Sequence, residues 1–148
     1  MREIRVCIDV DDMERAIAFY GDVLGLTPGR RLGDHWVEML GATAPIDLLR
    51  SRAGSTPSAA LPDARRDYAR HWTPIHLDFV VDDLDAVLRR ACAAGGTLDR
   101  EVQERPFGRM ANIADPFGHG LCILQMNERG YDALLDDGPG AGEAGGSP

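Results

Sequence analysis

The protein has 148 residues, of which 44% are hydrophobic and 27% are charged, and this composition is typical of one globular domain. Its net charge of -8 argues against nonspecific binding to nucleic acid or to anionic lipid, because both attract basic proteins. No apolar run reaches the roughly 20 residues that span a bilayer. The N-terminal segment lacks the apolar stretch of a signal peptide, and the three cysteines form no CxxC pair, so we expect a cytoplasmic protein.

The first predicted elements belong to an internal repeat. Residues 5–13, RVCIDVDDM, recur 71 positions later as residues 76–84, HLDFVVDDL. Each copy has an alternating strand pattern and an Asp-Asp pair, followed by helical spacing of apolar residues. Asp12 and Asp83 stand where a helix N-cap is expected, and Gly25 stands where the first helix should end.

Three strand-like runs follow each predicted helix. They lie at roughly 29–33, 35–40 and 45–50 in the first half, and at roughly 97–104, 109–114 and 120–126 in the second. Each half is therefore predicted to be a βαβββ module, and two modules must pair because one alone leaves a sheet face uncovered. We assign residues 1–127 to a single domain, made of module one at 3–50, a linker at 51–73 and module two at 74–127.

The linker is rich in Ser, Ala, Pro and Arg, and we interpret it as a surface connector with one short helix near 62–71. The alternative is a lid over a pocket, with His71 and Trp72 as its roof. Residues 128–148 form a C-terminal extension, and its Gly/Pro-rich part from about 136 is predicted to be disordered.

Two tandem modules of this kind resemble the vicinal-oxygen-chelate superfamily, the group of glyoxalases, bleomycin-resistance proteins and extradiol dioxygenases. The resemblance covers about residues 4–127, and its commonest marks here are the Phe19-Tyr20…Leu24-Gly25-Leu26 run and the Asp115-Pro116-Phe117-Gly118 turn. It implies an α+β fold in which both modules bend into a half-barrel around a cleft. It also implies a bacterial protein that is usually a homodimer.

The resemblance further implies four strand positions that hold a divalent metal ion in the metal-using members. On this chain they fall on Arg5, Asp47, His76 and Cys122. Arginine is permanently charged and has no lone pair to offer, so Arg5 cannot be a ligand. We therefore favour no metal, although Asp47, His76 and Cys122 could form a reduced site for zinc, nickel, manganese or iron.

Polar residues at alternating strand positions should line the cleft, since side chains i and i+2 share a face. The predicted ligand-binding residues are Arg5, Cys7, Asp9, Trp36, Asp47, His76, Asp78 and Cys122. So many charges are costly to bury unless they pair. An internal salt-bridge network centred on Arg5 is therefore an equally good interpretation, and it is compatible with ligand binding.

The leading hypothesis is a metal-independent member of this superfamily that binds a small molecule, such as a drug or metabolite, and sequesters it. One alternative is a glyoxalase-type lyase, isomerase or dioxygenase with a degenerate metal site. Another is a metal-free acid–base enzyme with two catalytic residues. His76 would then shuttle a proton, and Arg5 would hold an anionic substrate or an oxyanion.

Overall fold

Two four-stranded sheets, one from each half of the chain, make up the fold, and the predicted α+β architecture of tandem βαβββ modules is confirmed. The computed structural model describes residues 1–135, so the tail predicted to be disordered from about 136 lies outside the described residues. Module one contains β1 (Val6–Val10), α1 (Met13–Leu24), β2 (Thr27–Leu32), β3 (Trp36–Leu40) and β4 (Ile46–Arg50). Module two contains β5 (Leu77–Val80), α2 (Leu84–Ala93), β6 (Thr97–Arg105), β7 (Gly108–Ala114) and β8 (Gly120–Met126), and a 3-10 helix follows at Gly130–Leu134.

The two sheets have the same topology. The strand order is β1-β4-β3-β2 in module one and β5-β8-β7-β6 in module two. In each sheet the first strand pairs in parallel with the last, and the remaining pairs are antiparallel. The first strand of each module, β1 or β5, is therefore an edge strand among the described residues.

Both helices begin at the predicted aspartates. The Asp12 side chain accepts the backbone N–H of Arg15 at 3.1 Å, and the Asp83 side chain accepts that of Ala86 at 2.9 Å. Gly25 ends α1 with a φ of +69°, a conformation that favours glycine. In residues 1–135 neither helix is long and apolar enough to cross a membrane.

One apolar core joins the two modules. It is built from the inner faces of α1 and α2 and from alternate residues of the strands beneath them, such as Ile8 and Val10, Ile46 and Leu48, and Leu121 and Ile123. The buried Tyr20 hydroxyl of α1 donates a 2.7 Å hydrogen bond to Asp115, in the turn before β8. Burial and this carboxylate raise the pKa of Tyr20 well above its usual value, so the hydroxyl remains a donor.

The linker does not contain the helix expected near 62–71, and that prediction is wrong. Its side chains instead form salt bridges and hydrogen bonds with residues distant in sequence. Arg66 pairs with Asp9 of β1 at 2.6 Å, the Tyr68 hydroxyl donates to the Ser51 carbonyl at 2.6 Å, and Arg70 pairs with Asp99 of β6. These bonds hold residues 66–70 against both modules, and they outweigh the local helical preference of the segment.

Candidate functional site

The sheet face of module one that points away from α1 carries a cluster of four charged side chains. Arg5 donates from Nε and Nη2 to the two carboxylate oxygens of Asp47, at 2.8 and 2.6 Å, and from Nη2 to Glu38 at 2.7 Å. Arg30 of β2 donates to the same Glu38 carboxylate from Nε at 3.0 Å and from Nη2 at 2.5 Å. Two cations and two anions thus neutralise one another across the sheet.

The two carboxylates of this cluster are buried, with only 5% of the Glu38 side chain and 6% of the Asp47 side chain exposed. Hydrogen bonds from Arg30 and then from Arg5 lower the pKa of Glu38 to about 2, so it is ionised at neutral pH. The carboxylates in turn raise the pKa of Arg5. Sequence reasoning placed Arg5 beside Asp47 but missed Glu38, which faces Asp47 only through the β3–β4 register.

A second polar cluster lies at the matching positions of module two. His76 Nε2 is 3.2 Å from Asp78 Oδ1, and one donor atom each from His76, Asp78 and Cys122 lie within 4.8 Å of one another. The ring of Trp72 stacks on His76, with centroids 4.9 Å apart. The structure therefore groups His76 and Cys122 with Asp78, while Asp47 lies on the other sheet in contact with Arg5.

The four-position metal set implied by the sequence does not fit these side chains. Arg5 cannot ligate, and it engages both carboxylate oxygens of Asp47. His76, Asp78 and Cys122 offer nitrogen, oxygen and sulfur donors that zinc accepts. However, burial and then Asp78 raise the pKa of the Cys122 thiol to about 12, so zinc would have to displace its proton.

A groove with a volume of about 440 Å³ separates β1 from the start of β5 and the start of β8. Its polar lining consists of Cys7, Asp9, His71, Thr73, His76 and His119. His119 contacts the Asp9 carbonyl oxygen at 2.7 Å and the ring of His71 at 2.9 Å. The linker therefore forms part of the groove wall through His71. His119 was not among the ligand-binding residues predicted from sequence.

The remaining predicted ligand-binding residues differ in whether they line the groove and whether their side chains are already bonded. The exposed Cys7 thiol belongs to the groove lining, whereas the Asp9 carboxylate is engaged by Arg66 of the linker. Trp36 lies outside the groove, where the Arg30 guanidinium carbon is 5.9 Å from its ring centroid. Of the ligand-binding residues predicted from sequence, Cys7, Asp9 and His76 line the groove.

Comparison with known proteins gives matches along most of the chain. The family model described as a glyoxalase-like domain matches residues 5–124. The anthracycline biosynthesis protein DauV of Streptomyces sp. (strain C5) is 32% identical in an alignment 135 residues long that covers 85% of this chain and 42% of that protein. The anthracycline biosynthesis protein DnrV of Streptomyces peucetius is 33% identical in an alignment 125 residues long that covers 83% of this chain and 40% of that protein. The chain thus spans about two-fifths of the length of these relatives.

A solved structure shares the fold. The glyoxalase-related enzyme from Fulvimarina pelagi superposes with a TM-score of 0.64 over 82% of this chain and 86% of that chain, at 21% sequence identity.

The Arg5–Asp47 pair should be energetically coupled. Arg5→Gln leaves the buried Asp47 carboxylate without its cation and should lower the melting temperature by about 5 °C or more. Adding Asp47→Asn removes the uncompensated charge and should recover much of this loss. The matched control is Arg31→Gln, which removes a more exposed pair with Glu14 and should melt close to wild type. Two single variants whose effects simply add would contradict a direct pairing of Arg5 with Asp47.

The Glu38 carboxylate should make the fold sensitive to acid. Its pKa is about 2 in the folded chain and near its ordinary 4.5 in the unfolded chain. The stabilisation is therefore complete above about pH 5 and is lost as the pH falls from there toward 2. Urea midpoints at pH 7 and pH 3 should differ less for Glu38→Gln than for wild type. The exposed-carboxylate variant Glu14→Gln should retain the wild-type difference, and an equal pH dependence in Glu38→Gln and wild type would refute the assignment.

Proposed function

Since the chain belongs to the glyoxalase-like domain family of the vicinal-oxygen-chelate superfamily, we propose that it binds a small organic molecule without a metal ion and sequesters it. The observation that carries the proposal is the engagement of both Asp47 oxygens by the Arg5 guanidinium. Arg5 and Asp47, which occupy two of the four positions that hold the metal in metal-using members, are thus bonded to each other. The ion pair leaves neither residue free to ligate the ion that metal-using members hold at these positions.

The groove beside β1 is the proposed binding site. Its volume of about 440 Å³ lies in the range of pockets that hold drug-sized ligands. It combines apolar lining from Val6, Ile8 and Leu77 with the imidazoles of His71, His76 and His119. The flat rings offer surfaces for an aromatic ligand, and the Trp72 ring holds that of His76 in place.

The relatives suggest a class of ligand. Two of them carry names that associate them with anthracycline biosynthesis. Anthracyclines are flat polycyclic aromatic compounds, and a groove walled by imidazole rings suits such a shape. We therefore propose a polycyclic aromatic antibiotic, or a precursor of one, as the sequestered molecule.

A second candidate function is catalysis, and the His76–Asp78 contact at 3.2 Å favours it. A carboxylate on one imidazole nitrogen orients the ring and leaves the other nitrogen to exchange a proton with a substrate in the groove. His76 and Asp78, with Cys122, would also be the residues that hold a zinc ion if one binds. Turnover of the bound molecule, rather than its release unchanged, distinguishes this candidate from sequestration.

Binding of an anthracycline should require the groove but not a metal. In buffer with EDTA, the intrinsic fluorescence of doxorubicin should change on titration with the protein and saturate at a fixed stoichiometry. His76→Ala removes a wall of the groove and should weaken binding by about tenfold, whereas His35→Ala, in an exposed turn outside it, should not. Binding that appears only after zinc is added would contradict the proposal, as would equal affinities of the two variants.

We also propose that the protein is a homodimer. Three large apolar side chains are exposed beside the edge strands β1 and β5: Ile4 is 74%, Ile75 is 84% and Val80 is 62% exposed. Exposed apolar groups along an unpaired strand edge favour association with a second chain.

Light scattering at micromolar concentration should give a mass near twice 16.1 kDa. The double variant Ile75→Glu and Val80→Glu should shift the protein to monomer, because charges would replace the apolar contact. Leu61→Glu places a charge on an exposed apolar residue of the linker and should leave the dimer intact. A monomeric wild type would refute this assembly.

A further inference from the structure

The two sheets carry equivalent rows of side chains on the face that points away from the helices. In module one, Glu38 is directly opposite Asp47, and Asp47 is opposite Cys7. In module two, Asn112 is directly opposite Cys122, and Cys122 is opposite Asp78. Asn112 therefore takes the position of Glu38. The next strand of each sheet adds an arginine beside a register irregularity, Arg30 in module one and Arg100 in module two.

The two arginines differ in their charge environment. Arg30 is neutralised by the Glu38 carboxylate, to which it donates hydrogen bonds from two nitrogens. The equivalent Asn112 carries no charge, and its amide donates instead to the Cys122 sulfur at 3.1 Å. Two carboxylates flank Arg100 in sequence: Asp99 is engaged by Arg70, and Glu101 makes no ion pair with Arg100 among residues 1–135. Within residues 1–135, Arg100 forms no ion pair.

Arg100 borders a separate cavity of about 180 Å³, lined by Arg70, Trp72, Asp99, Arg100 and Asn112. Two guanidinium groups and one carboxylate leave this lining with one net positive charge. Trp72 adds an apolar wall, since its ring is fixed between His76 and the guanidinium of Arg70. The cavity thus offers a cation, an amide and an indole within one small space.

We propose that this cavity binds the carboxylate of a small organic anion. The planar guanidinium of Arg100 presents paired N–H donors that match the two oxygens of a carboxylate. The ligand carboxylate supplies the negative charge that Glu38 supplies in module one, and its apolar body packs against Trp72. The inference goes beyond the proposed function, because it concerns a second cavity and defines the ligand by its charge.

Benzoate and its neutral analogue benzamide test the charge preference on the full-length protein. The indole N–H resonance of Trp72, assigned with a Trp36→Phe variant, should shift on titration with benzoate at least about tenfold below the concentration that benzamide needs. Acetate, which lacks the ring, should bind more weakly than benzoate. Equal binding of benzoate and benzamide, or no binding of either, would overturn the proposal, and acetate binding as tight as that of benzoate would overturn the part played by Trp72.

Variants locate the site. Arg100→Gln should lower benzoate affinity about tenfold or more, whereas Arg89→Gln, which removes the same charge from α2, should not. Asn112→Glu places a carboxylate beside Arg100, as Glu38 lies beside Arg30 in module one. This carboxylate should neutralise Arg100 and abolish benzoate binding. Circular dichroism and melting temperature establish that each variant is folded. Wild-type benzoate affinity in folded Arg100→Gln would refute the site, whatever the outcome for Asn112→Glu.

Discussion

The burial of two carboxylates on one strand face is the constraint around which module one is organised. Glu38 and Asp47 sit on adjacent central strands and are almost entirely shielded from water. Buried anions of this kind are tolerated only when cations and hydrogen bonds compensate them. Arg5, just before β1, and Arg30, on β2, reach inward from the two edges of the sheet to provide that compensation. The cluster therefore ties all four strands together.

The same constraint determines what chemistry the fold can support. A guanidinium that holds both oxygens of Asp47 removes this residue from metal coordination and places a fixed positive charge beside it. Module two has the same strand order but uncharged Asn112 and Cys122 in the central row, with His76 and Asp78 at the edge. The two modules thus share a strand order but differ in charge: module one carries a cluster of ion pairs, and module two carries uncharged central residues beside His76 and Asp78.

The sequence predicted the fold well because a repeat and local helix-end signals can be read directly along the chain. The 71-residue repeat, the capping aspartates Asp12 and Asp83 and the glycine at 25 mark where helices begin and end, and the observed strands lie within about two residues of those expected. The shared face of Arg5 and Asp47 followed from the positions implied by the family resemblance. The expected helix near 62–71 failed because Arg66 and Arg70 are held by distant carboxylates.

The parts of the site that sequence reasoning missed depend on pairing across long distances. Glu38 joins the cluster through the β3–β4 register, which leaves no local pattern in the chain. Asp78 and Cys122 were both predicted from sequence to bind a ligand, but only the β5–β8 register makes them direct neighbours. His119 enters the groove through the fold of the turn before β8, where its backbone N–H bonds to Asp115.

Metal content is the most direct measure of the central idea that an ion pair stands where related proteins hold a cation. Elemental analysis by plasma mass spectrometry, on untagged protein purified without chelators, determines it in one experiment. The account predicts far less than one equivalent of any divalent metal per chain. About one zinc, nickel, manganese or iron per chain, lost on His76→Ala or Asp47→Ala, would contradict it.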